Sequence, residues 1–248
     1  MGFFASSGIL NRRGFFGGTT AASGIVESNL VFHIDAGNAS SYSGSGTTWT
    51  DISGNRNGTL TNGPTYSSAD GGSISFDGSN DYVTWGTSLT DLDLTSKTIQ
   101  VWFKKTGSSQ RGLVDKEFDN GGASYGGWGL WTNSNNKLWW WNHAGKDLKD
   151  DGTASFSLNT WTNGCVTWND STKTAKFYLG GVLNSTKSDA NIVEKASSTA
   201  PFLVGALRGN LAGYNFDGNI SSVLCYTAVL SDSEVLQNYN ALKGRYGL

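Results

Sequence analysis

The stretch SISFDGSNDYV, residues 73–83, decides the fold that the sequence predicts. It indicates a short strand, a tight turn at Asp77 and Gly78, and the start of a second strand. Glycine permits the positive φ that tight hairpin turns require, and aspartate hydrogen-bonds the backbone two residues on. The same Phe-Asp-Gly triplet returns at residues 216–218 and predicts a second such turn, with both phenylalanines pointing into the core.

A short helix is predicted after the second triplet, within the run YTAVLSDSEVLQNYNALKGRYG at residues 226–247. Ser231 is a suitable N-cap and Glu234 follows three residues later, which is the capping-box arrangement. Apolar side chains then recur at helical spacing, at Val235, Leu236, Tyr239 and Leu242. We expect the helix to end at Gly244 and to seal one edge of the fold.

Together, the two stretches resemble the concanavalin A-like lectin/glucanase superfamily, and specifically its laminin-G-like branch. In that branch a Phe-Asp-Gly turn recurs near both ends of one jelly roll, and a Leu-Ser-x-x-Glu helix closes the domain. The resemblance covers residues 25–248. It implies an all-β fold, a two-sheet antiparallel jelly-roll sandwich with a short C-terminal helix and an N-terminal extended arm.

The amino-acid sequence is most similar to the version of this domain in structural proteins of tailed bacteriophages. The similarity runs from LVFHIDAGNASSY through TTWTDISGNRNGTLTNGPTY to the final NYNALKGRYG. It implies a protein of the virion, made in the host cytoplasm, whose partners are other capsid or tail proteins.

The composition fits one large β-sandwich, since 34 of 248 residues are glycine and only two are proline. The formal net charge is −2 and no basic stripe is present, which argues against nucleic acid as the main partner. No apolar run approaches the ~20 residues of a membrane-spanning helix, so we expect no membrane insertion, and we see no secretory signal. Cys165 and Cys225 are predicted to be buried free thiols, with a disulfide between them as the alternative.

Strands are predicted where apolar residues alternate or cluster between turns rich in glycine and asparagine. They cover residues 30–34, 73–76, 82–85, 98–104, 128–132, 138–142, 161–168, 176–179, 202–204 and 220–226. The clearest alternation, TIQVWFK, places Ile99, Val101 and Phe103 on one face. This spacing of strands and turns is typical of a two-sheet sandwich.

Residues 1–24 differ from the rest and are predicted to be an N-terminal arm, with residues 25–248 forming the jelly-roll domain. One interpretation of the arm is a disordered tail. Exposed phenylalanine pairs are unfavourable in water, however, so we favour an arm that orders against a neighbouring subunit or a scaffold. The residues assigned to this assembly interface, which would also support a homo-oligomer, are Phe3, Phe4, Arg12, Arg13, Phe15 and Phe16.

Three consecutive tryptophans, Trp139, Trp140 and Trp141, form the sharpest local feature. In a strand the first and third share one face and the second takes the other, so one face exposes an indole unless another layer covers it. Indoles on a sheet make platforms for sugar rings, while polar neighbours bond the hydroxyls. Packing in the core and contact with another subunit are the alternatives. The candidate carbohydrate-binding residues are Trp128, Trp131, Trp139, Trp141, Asn142 and His143.

The carboxylates do not predict an enzyme. Glycoside hydrolysis needs two of them about 5–10 Å apart across the scissile bond, and retaining glucanases of this fold carry them on one strand. The glutamates are Glu27, Glu117, Glu194 and Glu234, and none has an acidic partner at that spacing. The acidic run at residues 115–119 is interpreted as a solvated loop, so no catalytic residue is assigned.

No metal site and no cofactor are assigned. His33 and His143 are the only histidines, too few for a histidine-based site. In related laminin-G-like domains, acidic residues on rim loops hold calcium, so the resemblance makes calcium an alternative. The oxygens that would serve belong to Asp77, Asp81, Asp217 and the run at residues 115–119. Ser221 and Ser222 stand where the branch commonly has an acidic residue, which weakens this alternative.

These observations predict a non-enzymatic structural protein of a phage virion that displays a lectin-like jelly roll on the particle surface. It would be a head decoration or a component of the tail or a fibre, attached through its N-terminal arm. The alternative is a carbohydrate-binding adhesin module that recognises host surface glycans. The sequence contains no heptads or β-helical repeats that would form a shaft, which favours a compact surface component.

Overall fold

Two antiparallel sheets of eight strands each form the framework of the part of the chain that the structure describes. The structure is a computed structural model, and it describes residues 24–87, 89–93, 96–119, 125–142, 146–192, 200–207 and 212–248. The strands are β1 (Leu30–Asp35), β2 (Thr48–Asp51), β3 (Arg56–Thr61), β4 (Thr65–Ser67), β5 (Ser73–Asp77), β6 (Tyr82–Thr84), β7 (Lys97–Lys105), β8 (Arg111–Asp119), β9 (Tyr125–Thr132), β10 (Leu138–Asn142), β11 (Lys146–Lys149), β12 (Thr162–Asn169), β13 (Thr174–Leu179), β14 (Val182–Ser188), β15 (Leu203–Val204) and β16 (Asp217–Tyr226). The helix α1 (Asp232–Leu242) follows, and 3-10 turns lie at Ala69–Gly71, Thr90–Leu92 and Lys243–Tyr246.

The first sheet has the order β14-β13-β12-β7-β16-β5-β4, and the second has the order β11-β10-β9-β8-β15-β6-β3-β2. β16 joins the first sheet together. On one side it pairs with β7, and on the other its first half pairs with β5 and its second half with β1. Neighbouring strands therefore come from distant parts of the chain, and the predicted jelly-roll sandwich with a C-terminal helix is confirmed.

Each of the ten predicted strands is present, with ends shifted by up to three residues. The alternation of β7 is also as predicted, because Ile99, Val101 and Phe103 are fully buried in the core between the sheets. The opposite face of β7 is buried as well, at Gln100 and Trp102. It is covered by α1 and by the turn that follows α1.

The two Phe-Asp-Gly triplets lie side by side in the first sheet, where Asp217 of β16 pairs with Asp77 of β5. Phe76 and Phe216 point into the core as predicted, with ring centroids 6.2 Å apart in an edge-to-face arrangement. The first triplet makes the predicted turn, with a φ of +76° at Gly78.

The prediction of a turn at the second triplet is wrong, because Asp217 and Gly218 are the first two residues of a ten-residue strand. Glycine is required there for a different reason. The φ of Gly218 is +133°, and a Cβ on it would lie 2.1 Å from the carbonyl oxygen of Lys104 on β7. The missing side chain lets β16 and β7 approach each other closely.

The predicted capping box begins α1. The Ser231 hydroxyl accepts a hydrogen bond from the Glu234 backbone N–H, and the Glu234 carboxylate accepts one from the Ser231 backbone N–H at 2.8 Å. The helix ends at Leu242 and continues as a 3-10 turn to Tyr246, beyond the predicted end at Gly244. Gly244 does not adopt the positive φ with which a glycine often ends a helix.

A second apolar cluster lies between α1 and the outer face of the first sheet. Its members are Val26, Cys165, Tyr178, Leu224, Tyr226, Leu230 and Val235. Cys165 belongs to this cluster and Cys225 to the main core, and both are buried and free, as predicted. Burial raises the pKa of both thiols, so they are poor nucleophiles.

The predicted arm lies outside the described residues. Phe3, Phe4, Arg12, Arg13, Phe15 and Phe16 all precede the first of them, so the assembly interface and the domain boundary at residue 24 stay predictions. Of the helices in the described part of the chain, none has the length and apolar character needed to cross a membrane.

Candidate functional site

Alternation along β10 points the three consecutive tryptophans in two directions, as predicted. Trp140 is fully buried in the core, whereas Trp139 and Trp141 are half-buried on the outer face of the second sheet. β10 pairs with β9 so that Trp139 lies opposite Trp131 and Trp141 lies opposite Gly129. The three indoles that face outward are therefore neighbours on one surface.

These three indoles form one packed unit, the tryptophan platform (Trp131, Trp139 and Trp141). The rings of Trp131 and Trp141 are parallel to within 5°, with centroids 5.4 Å apart, and Trp139 meets Trp131 edge to face at 5.6 Å. Trp131 is only 3 % exposed. The accessible aromatic surface therefore belongs to Trp139 and Trp141, and Trp131 holds both of them in place.

Charged groups lie beside and beneath the platform. The Lys149 ammonium, on the neighbouring strand β11, is 4.3 Å from the centre of the Trp139 ring. Asp115 of β8 accepts a long hydrogen bond of 3.5 Å from the indole N–H of Trp131. A Cβ on Gly129 would lie 2.4 Å from that indole nitrogen and 2.6 Å from the Asp115 carboxylate, so only glycine fits between them.

The acidic run at residues 115–119 is part of β8, so its interpretation as a solvated loop is wrong. Asp115 and Glu117 are fully buried, and their spacing places both on the face that bears the platform. They lie opposite Gly129 and Gly127 of β9, and these small residues leave room for the carboxylates. The signal in the sequence is an acidic residue at every second position, followed by the glycine-rich strand YGGWGLWT.

Trp128 does not belong to the platform. It is 1 % exposed and stacks in the core on Trp140, with centroids 5.6 Å apart, and its indole N–H donates to the Leu92 carbonyl oxygen at 2.7 Å. A ligand on the outer face cannot reach it. Of the other two candidates, Asn142 ends β10 but its side chain is outside the described part, and His143 lies wholly outside the described residues.

The acidic residues named for calcium are engaged with other groups. Asp217 pairs with Arg111 at 3.5 Å. Asp81 accepts a hydrogen bond from the Asp77 backbone N–H at 3.1 Å, and burial raises the pKa of Asp81. In the ranges that the structure describes, no group of three or more His, Cys, Asp or Glu side chains could hold a metal ion.

Comparison with known proteins gives a family match. The family model Laminin_G_3, described as concanavalin A-like lectin/glucanases superfamily, matches residues 77–236. None of the curated proteins compared matches the chain significantly. Among solved structures, a Trypanosoma rangeli sialidase in complex with sialic acid aligns with a TM-score of 0.65 at 15 % identity, covering 90 % of this chain and 34 % of that chain.

Two other similar structures are named as domains of larger proteins. The binding domain of Paraclostridial Mosquitocidal Protein 1 aligns with a TM-score of 0.64 at 20 % identity, covering 86 % of this chain and 52 % of that chain. The other is domain 4 of AbnA, a GH43 extracellular arabinanase from Geobacillus stearothermophilus, in complex with arabinotriose. It aligns with a TM-score of 0.62 at 15 % identity, covering 85 % of this chain and 98 % of that chain. At these identities the likeness shows the fold. The chain spans about a third of the length of the sialidases that it matches.

The expectation that the chain is not an enzyme is wrong, because its grounds do not exclude one. It rests partly on a solvated loop at residues 115–119, which is instead a buried part of β8. The structures that the chain resembles include sialidases, which are enzymes, and a domain of an arabinanase. Neither the fold nor the absence of the carboxylate spacing found in glucanases therefore excludes an enzyme.

Proposed function

The chain belongs to the concanavalin A-like lectin/glucanase superfamily, and on this premise we propose that it binds carbohydrate through the tryptophan platform. The observation that carries the proposal is the partial exposure of Trp139 and Trp141, side by side on a strand whose middle tryptophan is in the core. Neighbouring indoles that keep part of their surface in water on one sheet face offer an apolar patch that a ligand or partner can cover.

The platform suits the apolar face of a sugar ring. Such a face packs on an indole because both surfaces lose non-polar contact with water. Trp131 already holds both outer indoles, so binding costs little side-chain entropy. The ammonium of Lys149, beside Trp139, provides donors for sugar hydroxyls.

The similar structures support a carbohydrate as the class of ligand. One of them is a sialidase in complex with sialic acid, and another is an arabinanase domain in complex with arabinotriose. The proposal takes from them only this ligand class, because their sequences are 15 % identical to this one.

The test is glycan binding by Trp139→Ala and Trp141→Ala, first on an array of host-surface glycans and then by calorimetry with the best ligand. We expect each substitution to weaken binding at least about tenfold while the circular dichroism spectrum is retained. Leu183→Ala is the matched control, because it removes an exposed apolar side chain from the first sheet.

Three results would contradict the proposal. Folded Trp139→Ala and Trp141→Ala proteins that bind as tightly as the original chain would show that the platform is not the site. Unfolding of both variants would assign the indoles to structural packing. A wild-type chain that binds no glycan on the array would remove the proposed function altogether.

For the biological setting, we propose a tailed-phage virion that displays the domain on the head or the tail. Residues 1–24 would attach the domain to its neighbours, including other copies of the chain. The support is the resemblance of the amino-acid sequence to structural proteins of such phages. Electron microscopy of particles labelled with an antibody against residues 25–248 tests it, and unlabelled particles would count against a virion setting.

Deletion of residues 1–24 tests the arm separately. We expect the shortened protein to be lost from particles and to have a lower mass in solution than the full chain. Full incorporation of the shortened protein into particles would contradict attachment through the arm, and an unchanged mass would contradict oligomerisation through it.

A further inference from the structure

A cleft opens on the first sheet, between α1, the start of β12 and residues 154–156 of the connection before it. Its volume is about 190 Å³. The rings of Phe156, Trp161 and Tyr239 line it, together with the amide of Asn163. No charged side chain stands among the described residues of the lining, so the cleft suits a neutral ligand.

Asn163 brings a buried hydrogen-bond donor to this cleft. The residue is 1 % exposed, and its Oδ1 accepts a hydrogen bond from Gln100 Nε2 at 2.8 Å. Its Nδ2 is also buried, and it has no hydrogen-bond partner within the described part of the chain. A buried amide donor without an acceptor is unfavourable, and an acceptor oxygen on a bound ligand removes that penalty.

A chain of hydrogen bonds fixes the direction of the Asn163 amide. It starts at the backbone N–H of Val26, which can only donate and which donates to Asn238 Oδ1 at 2.7 Å. Asn238 Nδ2 then donates to Gln100 Oε1 at 3.0 Å, which leaves Gln100 Nε2 to donate to Asn163 Oδ1. Each amide is oriented by the one before it, so the unused donor is Nδ2 of Asn163.

The aromatic walls of the cleft are held by contacts outside it. The indole N–H of Trp161 donates to Asp70 at 2.7 Å, and its ring packs on Tyr246 with centroids 4.7 Å apart. Tyr239 stacks on Trp102, with centroids 5.5 Å apart and planes within 15° of parallel. Fixed aromatic surface beside one well-placed polar group is typical of a small-ligand site.

We propose that this cleft binds one neutral sugar ring, whose hydroxyl or N-acetyl carbonyl oxygen accepts a hydrogen bond from Asn163 Nδ2 and whose carbon face packs on Tyr239, the one ring of the lining that is partly exposed. The volume of about 190 Å³ is smaller than the roughly 300–1,000 Å³ of sites for drug-sized ligands, so the site takes a single ring and not a longer chain. It lies on the first sheet and does not depend on the tryptophan platform, which lies on the second.

The test is an NMR titration of nitrogen-15-labelled protein with methyl α-D-glucopyranoside, methyl β-D-galactopyranoside and N-acetyl-D-glucosamine. We expect the side-chain amide signal of Asn163 and the indole signal of Trp161 to shift and saturate with at least one sugar. The expected dissociation constant is on the order of 1 mM, because one ring makes few contacts. Absence of a saturating shift at Asn163 with all three sugars overturns the proposal.

Two loop variants form a matched pair for this experiment. Ser155→Trp places an indole at the mouth of the cleft, at an exposed residue of the lining, and is expected to abolish the shifts. Ser157→Trp, at an exposed residue outside the lining, is expected to keep them. Shifts that persist in Ser155→Trp overturn the proposal.

The platform variant separates this site from the proposed function. We expect Trp139→Ala to keep the shifts at Asn163 and Trp161, because the substitution lies on the other sheet. Shifts confined to Trp139 and Trp141 overturn the second site and leave the proposed function standing. Shifts at Asn163 in a protein whose platform binds no glycan support the second site alone.

Discussion

Arg245 holds Asp35 with two parallel hydrogen bonds, across 210 residues of sequence. The two guanidinium nitrogens lie 2.6 and 2.8 Å from the two carboxylate oxygens. Asp35 ends β1, and Arg245 lies in the 3-10 turn after α1. The two side chains are only 6 % and 23 % exposed, so the pair fastens the C-terminal segment to the first sheet in a place with little water.

Removal of the guanidinium is expected to lower the free energy of unfolding by about 2–3 kcal/mol, because it leaves the Asp35 carboxylate without its cation. We expect this loss in Arg245→Ala, and a smaller loss in Arg245→Lys, whose ammonium cannot make two parallel bonds. Urea unfolding measures both. The cost of Arg245→Ala should shrink in an Asp35→Asn background, and equal costs in both backgrounds would show that the pair is not coupled.

Adjacent tryptophans on β10 are expected to differ in their effect on stability. Trp140→Ala takes a fully buried indole from the core and should lower the free energy of unfolding by about 3–5 kcal/mol. Trp139→Ala takes a partly exposed one and should lower it by about 1 kcal/mol or less. Thermal unfolding compares the two. Equal losses would assign Trp139 to structural packing and count against the platform.

Gly218 is expected to tolerate no side chain. A Cβ there would meet the Lys104 carbonyl oxygen at 2.1 Å, on a backbone with a φ of +133°. We expect Gly218→Ala to lower the free energy of unfolding by about 3 kcal/mol or more, or to prevent folding. Gly244→Ala is the control, since nothing lies within 4 Å of its Cβ position. Similar stabilities of the two variants in urea would refute the close approach of β16 and β7.

Lys105 is expected to make stability rise with pH in the alkaline range. Burial lowers its pKa from 10.5 to about 8. Between these values the unfolded chain holds a proton that the folded chain has lost, so the free energy of unfolding increases, by up to about 3 kcal/mol. Below pH 8 both states are protonated and this contribution is constant.

Unfolding in urea between pH 8 and pH 10 checks the Lys105 prediction. The upper limit avoids the tyrosines, since burial raises the pKa of Tyr246 from 10.0 to about 12 and its contribution to stability is lost as the pH rises beyond 10. Lys105→Met should lower the pH dependence and leave the part that comes from Lys116, whose pKa burial also lowers, whereas Lys104→Met, on the opposite face of β7, should keep all of it. An unchanged slope in Lys105→Met would refute the assignment.

The parts of the fold that the sequence predicts correctly depend on patterns within one element. The alternation of TIQVWFK along β7 is local, as are the two directions of the consecutive tryptophans and the capping box of α1. Their side chains are arranged by the strand or helix period alone. The platform could be predicted in the same way, because Trp139 and Trp141 share a face in any strand.

The parts that the sequence does not predict depend on residues from other elements. Asp115 and Glu117 suit a strand only because β9 places glycines opposite them. Gly218 is confined to a strand by the backbone of β7, although its triplet is typical of a turn. The donor of Asn163 is oriented by hydrogen bonds that begin at Val26. The pattern within a single strand or helix does not contain these relationships.

Because β16 lies between β5 and β7, the first sheet cannot be completed until the end of the chain has been synthesised. Roughly 180 residues separate β1 from β16, and a ribosome makes them in about 10–40 s at ~5–20 residues per second. Until β16 emerges, β1 lacks the one strand partner that the described sheets give it, and the two parts of the first sheet are not joined. Nascent chains on neighbouring ribosomes of one mRNA therefore expose strand edges that can pair with each other. A chain whose synthesis stops before residue 217 is expected to aggregate for the same reason.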